Sequence, residues 1–148
     1  MHIVPPSVAA PGRPDFTLPI RVYYEDTDAA GVIYYANYLC FCERARTEWL
    51  RAIGFEQQQL LAVHGLVFMV RSVKADYLSP GLLDDALSVV TRIDTLGRAS
   101  LVFAQCIMRG DECLFDAQFQ IACVDINKKR PAPFPADVRA QLDKLVKA

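Results

Sequence analysis

The chain has 148 residues, the size of one ordinary domain, and 53% of them are hydrophobic, which suffices to fill a single core. Lysine and arginine total 16 against 17 for aspartate and glutamate, so the chain lacks the positive field that would hold a nucleic acid or an anionic bilayer. Five cysteines without a C-x-x-C pair, together with only two histidines, argue against a disulfide framework and a zinc site; we expect no metal, no cofactor and a reducing compartment.

The first 17 residues are predicted to be a flexible tail, and residues 18–148 to be one domain. The tail carries four prolines among small residues, which removes backbone donors and leaves little apolar surface to pack. It has no basic region followed by a long apolar stretch, so we expect a cytoplasmic location rather than secretion. No apolar run reaches the roughly 20 residues of a membrane-spanning helix, which excludes an integral membrane protein but leaves a peripheral place at the inner membrane open.

A strand and a long helix open the domain. Residues 18–24 alternate apolar with other side chains and include β-branched and aromatic ones, which predicts a strand. Apolar side chains then recur every three or four positions from residue 37 to residue 53, as on one face of an α-helix, with Asn37 as the predicted N-cap and Gly54 just after the last turn. Charged side chains on the same helix are interpreted as a solvated or inter-subunit face without chemistry: Glu43, Arg44, Arg46, Glu48 and Arg51.

Four further strands are predicted after the helix, at residues 66–77, 86–95, 99–108 and 113–125, with glycine-containing turns between them. Short links join antiparallel neighbours, and residues 136–147 can form a last amphipathic helix. The order of elements therefore predicts an α+β fold in which an antiparallel sheet wraps a long central helix. That is the hot-dog fold in outline, although the same order also suits other folds with a helix on a sheet.

Polar groups cluster between the first strand and the helix: Glu25, Asp26, Thr27, Asp28 and, after Gly31, the phenols of Tyr34 and Tyr35. Any single aspartate there has an ordinary explanation, because Asp commonly begins a turn by bonding to its own backbone. Asp28, however, precedes small residues that permit close backbone approach, and the segment leads to a helix start, where the first N–H groups are unpaired and electropositive. Such amides can hold a carbonyl oxygen as it gains negative charge, while the carboxylate attacks the carbonyl carbon or activates a water.

The run from Val22 to Tyr38, followed by Glu43-Arg44-Ala45-Arg46-Thr47-Glu48, resembles the YbgC acyl-CoA thioesterases of the Tol-Pal system. It is also similar to 4-hydroxybenzoyl-CoA thioesterase of the same hot-dog superfamily. The likeness continues through residues 68–71, 76–77, 83–85 and 100–103 and covers nearly everything but the tail.

The resemblance implies that Asp28 acts as nucleophile or general base on the thioester carbonyl, and that the backbone N–H of Tyr35 polarises that carbonyl. Many YbgC proteins carry histidine at the position of Tyr35, whereas the hydroxybenzoyl enzyme has tyrosine. The backbone N–H is present with either residue, whereas a role for the imidazole side chain is lost when tyrosine takes the position. Asp26 is interpreted as a hydrogen-bond acceptor that stabilises the motif. The predicted substrate-binding positions are Gly31, Val32, Tyr34, Met69, Tyr77 and Arg98.

Arg98, in the turn before Ser100, is the candidate contact for a CoA phosphate, because a guanidinium group matches phosphate with two parallel hydrogen bonds. An ordinary exposed arginine in a turn explains the same residue equally well. His64 is interpreted as structural, at the end of a short helix before Gly65.

The leading hypothesis is an acyl-CoA thioesterase that releases free acid and CoA. The absence of a histidine from the acidic segment keeps a rival open: a protein that binds acyl thioesters or acts as a scaffold in phospholipid synthesis or the cell envelope, with little turnover. It also argues against the dehydratase branch of hot-dog proteins. Sites of the resembled family lie between subunits, so a homodimer or homotetramer is expected. Residue types leave open the acyl chain, the choice of CoA or acyl carrier protein as carrier, and covalent or general-base chemistry.

Overall fold

The computed structural model describes residues 14–146, which form one antiparallel sheet and three α-helices. The elements in chain order are β1 (Phe16–Arg21), α1 (Asn37–Ala52), α2 (Gln57–Gln59), β2 (Leu66–Tyr77), β3 (Ala86–Leu96), β4 (Ser100–Arg109), β5 (Glu112–Asp125), β6 (Arg130–Pro131) and α3 (Ala136–Val146). A 3₁₀ turn (Tyr24–Asp26) follows β1, and a π-helical turn (Leu60–His64) continues α2.

The sheet has the strand order β1-β3-β4-β5-β2, with the short β6 paired to β5. Every pairing is antiparallel, as the short links predict. Because β1 and β2 lie at opposite edges, the chain must cross the whole width of the sheet between them, and α1 makes that crossing. The predicted fold, an antiparallel sheet around a long central helix, is confirmed.

One face of α1 is buried against the sheet, and its members follow the predicted spacing: Tyr38, Phe41, Cys42, Ala45, Trp49 and Leu50. They join a single core with aromatic and aliphatic side chains of the strands, among them Phe103, Phe115 and Phe119. Each large apolar side chain buried in this way contributes about 1.5–3 kcal/mol of transfer free energy. Gly54 ends the helix with a left-handed φ of 86°, as predicted.

The first strand begins earlier than predicted. β1 begins at Phe16, two residues inside the predicted tail, and the Asp15 carboxylate pairs with Arg92 of β3 at 3.2 Å. Residues 1–13 of the predicted tail lie outside the described residues.

Two predictions about α1 are wrong. The N-cap is Ala36 rather than Asn37, because the Asn37 side chain donates to the backbone carbonyl of Asp26 at 2.9 Å. Arg46 is not on a solvated face: it is only 6% exposed, since its guanidinium stacks over Phe119 and donates to Gln105.

Candidate active site

The acidic segment folds into a small hairpin between β1 and α1. Three rungs close it, by hydrogen bonds or bridge pairing: Asp26–Tyr34, Thr27–Ile33 and Asp28–Val32. The hairpin leads directly into the first turn of α1, so the acidic residues and the helix start belong to one local unit.

Asp28 begins the turn at the tip of this hairpin. Its carbonyl accepts the N–H of Gly31 at 3.0 Å, and its Oδ1 accepts the N–H of Ala30 at 2.9 Å. Gly31 has a φ of 80°, which few residues other than glycine adopt. The ordinary turn-forming role of aspartate therefore uses one carboxylate oxygen. In the described part of the chain no donor meets Oδ2, and the side chain is exposed, so that oxygen is available for chemistry.

The carboxylate and the carbonyl of Asp26 both accept hydrogen bonds that stabilise the hairpin. Its Oδ2 accepts the N–H of Tyr23 at 2.8 Å, and its carbonyl accepts both the N–H of Tyr34 and the side-chain amide of Asn37, each at 2.9 Å. These bonds hold the base of the hairpin on the helix start.

Tyr35 lies at the junction of hairpin and helix. Among residues 14–146 no acceptor meets its backbone N–H, while its carbonyl accepts the phenol hydroxyl of Tyr77 at 2.9 Å. The N-terminal end of a helix carries a partial positive charge, which strengthens such a free amide as a donor. Asp26 pairs with Tyr34, the residue before Tyr35, and Asp28 lies two residues beyond Asp26 on the same arm of the hairpin. Two residues of extended chain separate the levels of Asp28 and Tyr34 by roughly 7 Å.

Tyr77 ties the end of β2 to this helix start. Its ring packs edge-on against Phe115 at 4.9 Å and Tyr38 at 5.4 Å, and lies 6.4 Å from the ring of Tyr35. Partial burial raises the pKa of Tyr77, and the neighbouring phenols of Tyr35 and Tyr38 act in the same direction. The hydroxyl therefore keeps its proton at neutral pH and donates to the Tyr35 carbonyl. An open cavity of about 290 Å³ adjoins these rings.

Gly81 connects the hairpin to α1 through hydrogen bonds. The sequence predicted only a glycine-containing turn there and did not predict this role. Its N–H donates to the buried Tyr38 hydroxyl at 3.0 Å, and its carbonyl accepts the N–H of Ile33 at 2.9 Å. A Cβ atom at this position would lie 2.3 Å from Cδ1 of Ile33. A side chain here would have to displace the end of the Ile33 side chain, and nothing local in the sequence indicates that Gly81 would meet residues more than 40 positions earlier.

The predicted site residues separate into two groups. Gly31, Val32, Tyr34 and Tyr77 lie on the hairpin or beside it, within the same local unit as Asp28 and Tyr35. Met69 and Arg98 do not.

Met69 lies opposite Ala122 and points to the outer face of the sheet, whereas Tyr77 lies opposite Phe115 on the helix side. The first residue of β3 lies close to the hairpin, and Arg98 follows the last residue of β3. The length of β3, eleven residues, therefore places Arg98 roughly 30 Å from Asp28. Within one protomer neither residue reaches the hairpin, and their contacts with substrate remain predictions that require a second subunit.

Residues 22–142 match the model of the thioesterase-like superfamily. The chain belongs to this superfamily. It is 46% identical over 130 residues to the acyl-CoA thioesterase YbgC of Haemophilus influenzae, an alignment that spans 88% of this chain and 96% of the relative.

Solved structures agree. A probable thioesterase from Bartonella henselae superimposes with a TM-score of 0.78 at 36% identity, over 82% of this chain and all of that one. Slr0204, a 1,4-dihydroxy-2-naphthoyl-CoA thioesterase from Synechocystis, superimposes with a TM-score of 0.83 at 25% identity, over 89% and 98% of the two chains. The predicted YbgC-type family, its hot-dog fold and the enzyme class, a thioester hydrolase, are confirmed.

Two kinds of feature are absent from the part of the chain that the structure describes. None of the helices within residues 14–146 is long and apolar enough to span a bilayer. Nor do histidine, cysteine, aspartate and glutamate side chains gather there into a group of three or more that could hold a metal ion.

Proposed function

We propose that this protein hydrolyses acyl-CoA thioesters to a free acid and CoA. The observation that carries the proposal is the hairpin, which presents Oδ2 of Asp28 and the N–H of Tyr35, both without a partner within residues 14–146, on one local unit. The relatives named acyl-CoA thioesterases support the choice of a thioester as the bond that is cleaved.

The proposed reaction needs a carboxylate and a backbone donor. The thioester carbonyl oxygen accepts the Tyr35 N–H, which stabilises the negative charge that develops when the carbonyl carbon is attacked. Asp28 either attacks that carbon, so that water later cleaves the resulting anhydride, or removes a proton from the water that attacks. The carbon–sulfur bond breaks in both routes, and CoA leaves as the thiol after protonation.

Tyr77 has a positioning role in this proposal. Its hydroxyl fixes the carbonyl of the Tyr35 peptide unit, and so restrains the backbone that carries the catalytic amide. No imidazole is required, which is consistent with tyrosine at position 35. Gly31, Val32 and Tyr34 border the bound thioester in the same proposal.

The remaining assignments concern contacts between subunits. We propose a homodimer or homotetramer in the cytoplasm, in which Met69 and Arg98 of one subunit contact a substrate held by another and Arg98 meets a CoA phosphate. Acyl carrier protein as an alternative carrier, a peripheral place at the inner membrane and a link to the Tol-Pal system are expectations from the resemblance.

The test measures free thiol released from a panel of acyl-CoAs, beside calorimetric binding of the same compounds. Hydrolysis predicts multiple turnovers of thiol release for at least one acyl-CoA. Tight binding of acyl-CoA with no more than one equivalent of thiol would favour the alternative, an acyl-thioester-binding or scaffolding protein. Absence of both would refute the proposed substrate class.

A further inference from the structure

An apolar groove leads away from the candidate active site between α1 and the edge strand β2. Tyr77, Val73 and Val70 stand on the helix side of β2, because their partners on β5 belong to the core, yet they are 49%, 42% and 50% exposed. At one end of the groove the Tyr77 hydroxyl meets the carbonyl of Tyr35, beside an open cavity. A second cavity lies between Val70 and α1 at the other end, and Val73 stands on the same strand face between the two.

A buried cation lies further along this groove. Arg46 is 6% exposed, its guanidinium lies 4.3 Å from the ring centroid of Phe119, and its Nη1 donates to Gln105 Oε1 at 2.8 Å. Within residues 14–146 no carboxylate forms an ion pair with it. Burial lowers the pKa of Arg46, while the neighbouring Cys42 and Glu43 side chains act in the opposite direction.

Most donors of this guanidinium are unused. Of its three nitrogens only Nη1 has an acceptor in the described part of the chain, although the group carries five N–H bonds. Nε and Nη2 are not sealed in the core, and Arg46 lines a small cavity with Glu43, Thr47 and Val70. An oxygen atom that enters this cavity can accept a charge-assisted hydrogen bond from either nitrogen.

The spacing suits the far end of a bound acyl chain. Arg46 is nine residues beyond Asn37, so its Cα lies roughly 14 Å along the helix axis from the helix start. Long side chains on a helix lean back toward its N-terminus, which brings the guanidinium closer to the thioester site. An acyl chain whose carbonyl accepts the Tyr35 amide would pass Tyr77 and reach the level of Val73, whose partner on β5 is Phe119, the ring that lies under the Arg46 guanidinium.

We propose that Arg46 binds an oxygen atom in the distal part of the acyl group, so that the enzyme prefers acyl thioesters carrying a hydroxyl, keto or carboxylate oxygen there. This inference rests on the proposed thioesterase function. An arginine that only supports the core through Gln105 would affect every substrate alike, whereas a specificity residue changes the ratio between substrates.

The experiment compares matched acyl-CoAs of equal chain length, unsubstituted and with an ω-hydroxyl or ω-carboxylate group. For the wild type we expect kcat/KM to favour an oxygenated member by about tenfold or more at one chain length, the scale of a hydrogen bond to a charged group. Arg46→Met keeps the bulk over Phe119 and removes the donors, so the ratio should fall toward one. Arg44→Met, on the exposed side of the same helix, should keep the wild-type ratio.

Two results would overturn the inference: a wild type that hydrolyses both members of every pair equally well, or an Arg46→Met variant in which both lose activity by the same factor. If Arg46→Met does not fold, Arg46→Lys decides, because it keeps the charge but loses the planar donor fork and should reduce the ratio in part. If no acyl-CoA is hydrolysed, the proposed function fails separately, and the ratio of dissociation constants for the same pairs tests the preference.

Discussion

Asp28 has one carboxylate oxygen in a structural hydrogen bond and one without a donor in the described part of the chain. Oδ1 accepts the Ala30 N–H and so shapes the turn, while Oδ2 stays available to a thioester or a water. The acidic segment predicted the turn, which depends on neighbours close in sequence, whereas the reactive role of the carboxylate stays a prediction. The bond from Tyr77 to the Tyr35 carbonyl joins residues 42 positions apart, and no local pattern indicates it.

At the same scale, Tyr38 makes a bond whose loss should be measurable. Its hydroxyl accepts the Gly81 N–H at 3.0 Å, and the side chain is 4% exposed. Tyr38→Phe leaves that N–H buried without an acceptor, so we expect the free energy of unfolding to fall by about 1–3 kcal/mol in chemical denaturation. Tyr24→Phe, at a position 83% exposed, is the control and should be neutral. Equal stability of the two variants would show that the bond to Gly81 contributes little.

At the scale of elements, α1 is joined to the sheet by a polar network inside an apolar core. Gln105 of β4 accepts from Arg46 and donates to the Cys42 carbonyl at 3.0 Å and the Thr91 hydroxyl at 2.8 Å. Helical periodicity predicted the bounds and the apolar face of α1 well. It wrongly assigned Arg46 to the solvated charges. Spacing along a helix does not show that neighbouring strands will place a side-chain amide and an aromatic ring against the guanidinium group.

Gln105→Leu tests this network. The change removes the partner of the Arg46 guanidinium and of the buried Thr91 hydroxyl, so we expect a loss of about 2–4 kcal/mol in the free energy of unfolding. Gln118→Leu, on the exposed side of β5, should cost much less. The double variant with Arg46→Met should lose less than the sum of the two single changes, because both remove the same bond. Additive losses would mean that the two residues act independently.

At the scale of the whole molecule, the protomer leaves β2 as an open sheet edge with Val70, Val73 and Tyr77 partly exposed on it. Such an edge is normally covered. Antiparallel pairing of β2 with its copy would bring the Leu66 end of one subunit beside the Tyr77 end of the other. The protomer alone separates Asp28 from Arg98. The sequence predicted the strand between them but could not indicate that the hairpin adjoins the Ala86 end of it, because the Val32–Leu82 bridge joins residues far apart in the chain.

We therefore expect at least a dimer at micromolar concentration in sedimentation velocity experiments. Val73→Lys places a charge on the open edge and should shift the equilibrium toward monomer, because burying an unpaired ammonium group is costly. Val63→Lys, at a position 73% exposed on the π-helical turn, is the matched control and should leave the assembly intact. A wild type that sediments strictly as a monomer would contradict the inter-subunit site.

The most direct test of thioester hydrolysis at this hairpin is the turnover of Asp28→Asn. The amide oxygen of asparagine can still accept the Ala30 N–H, so the turn should persist while the reactive carboxylate is lost. We predict that kcat for the best acyl-CoA falls by a factor on the order of 10² or more, the scale of a positioned acid or base, while Asp111→Asn in the exposed β4–β5 turn keeps wild-type turnover. Wild-type turnover in a folded Asp28→Asn variant would contradict the assignment.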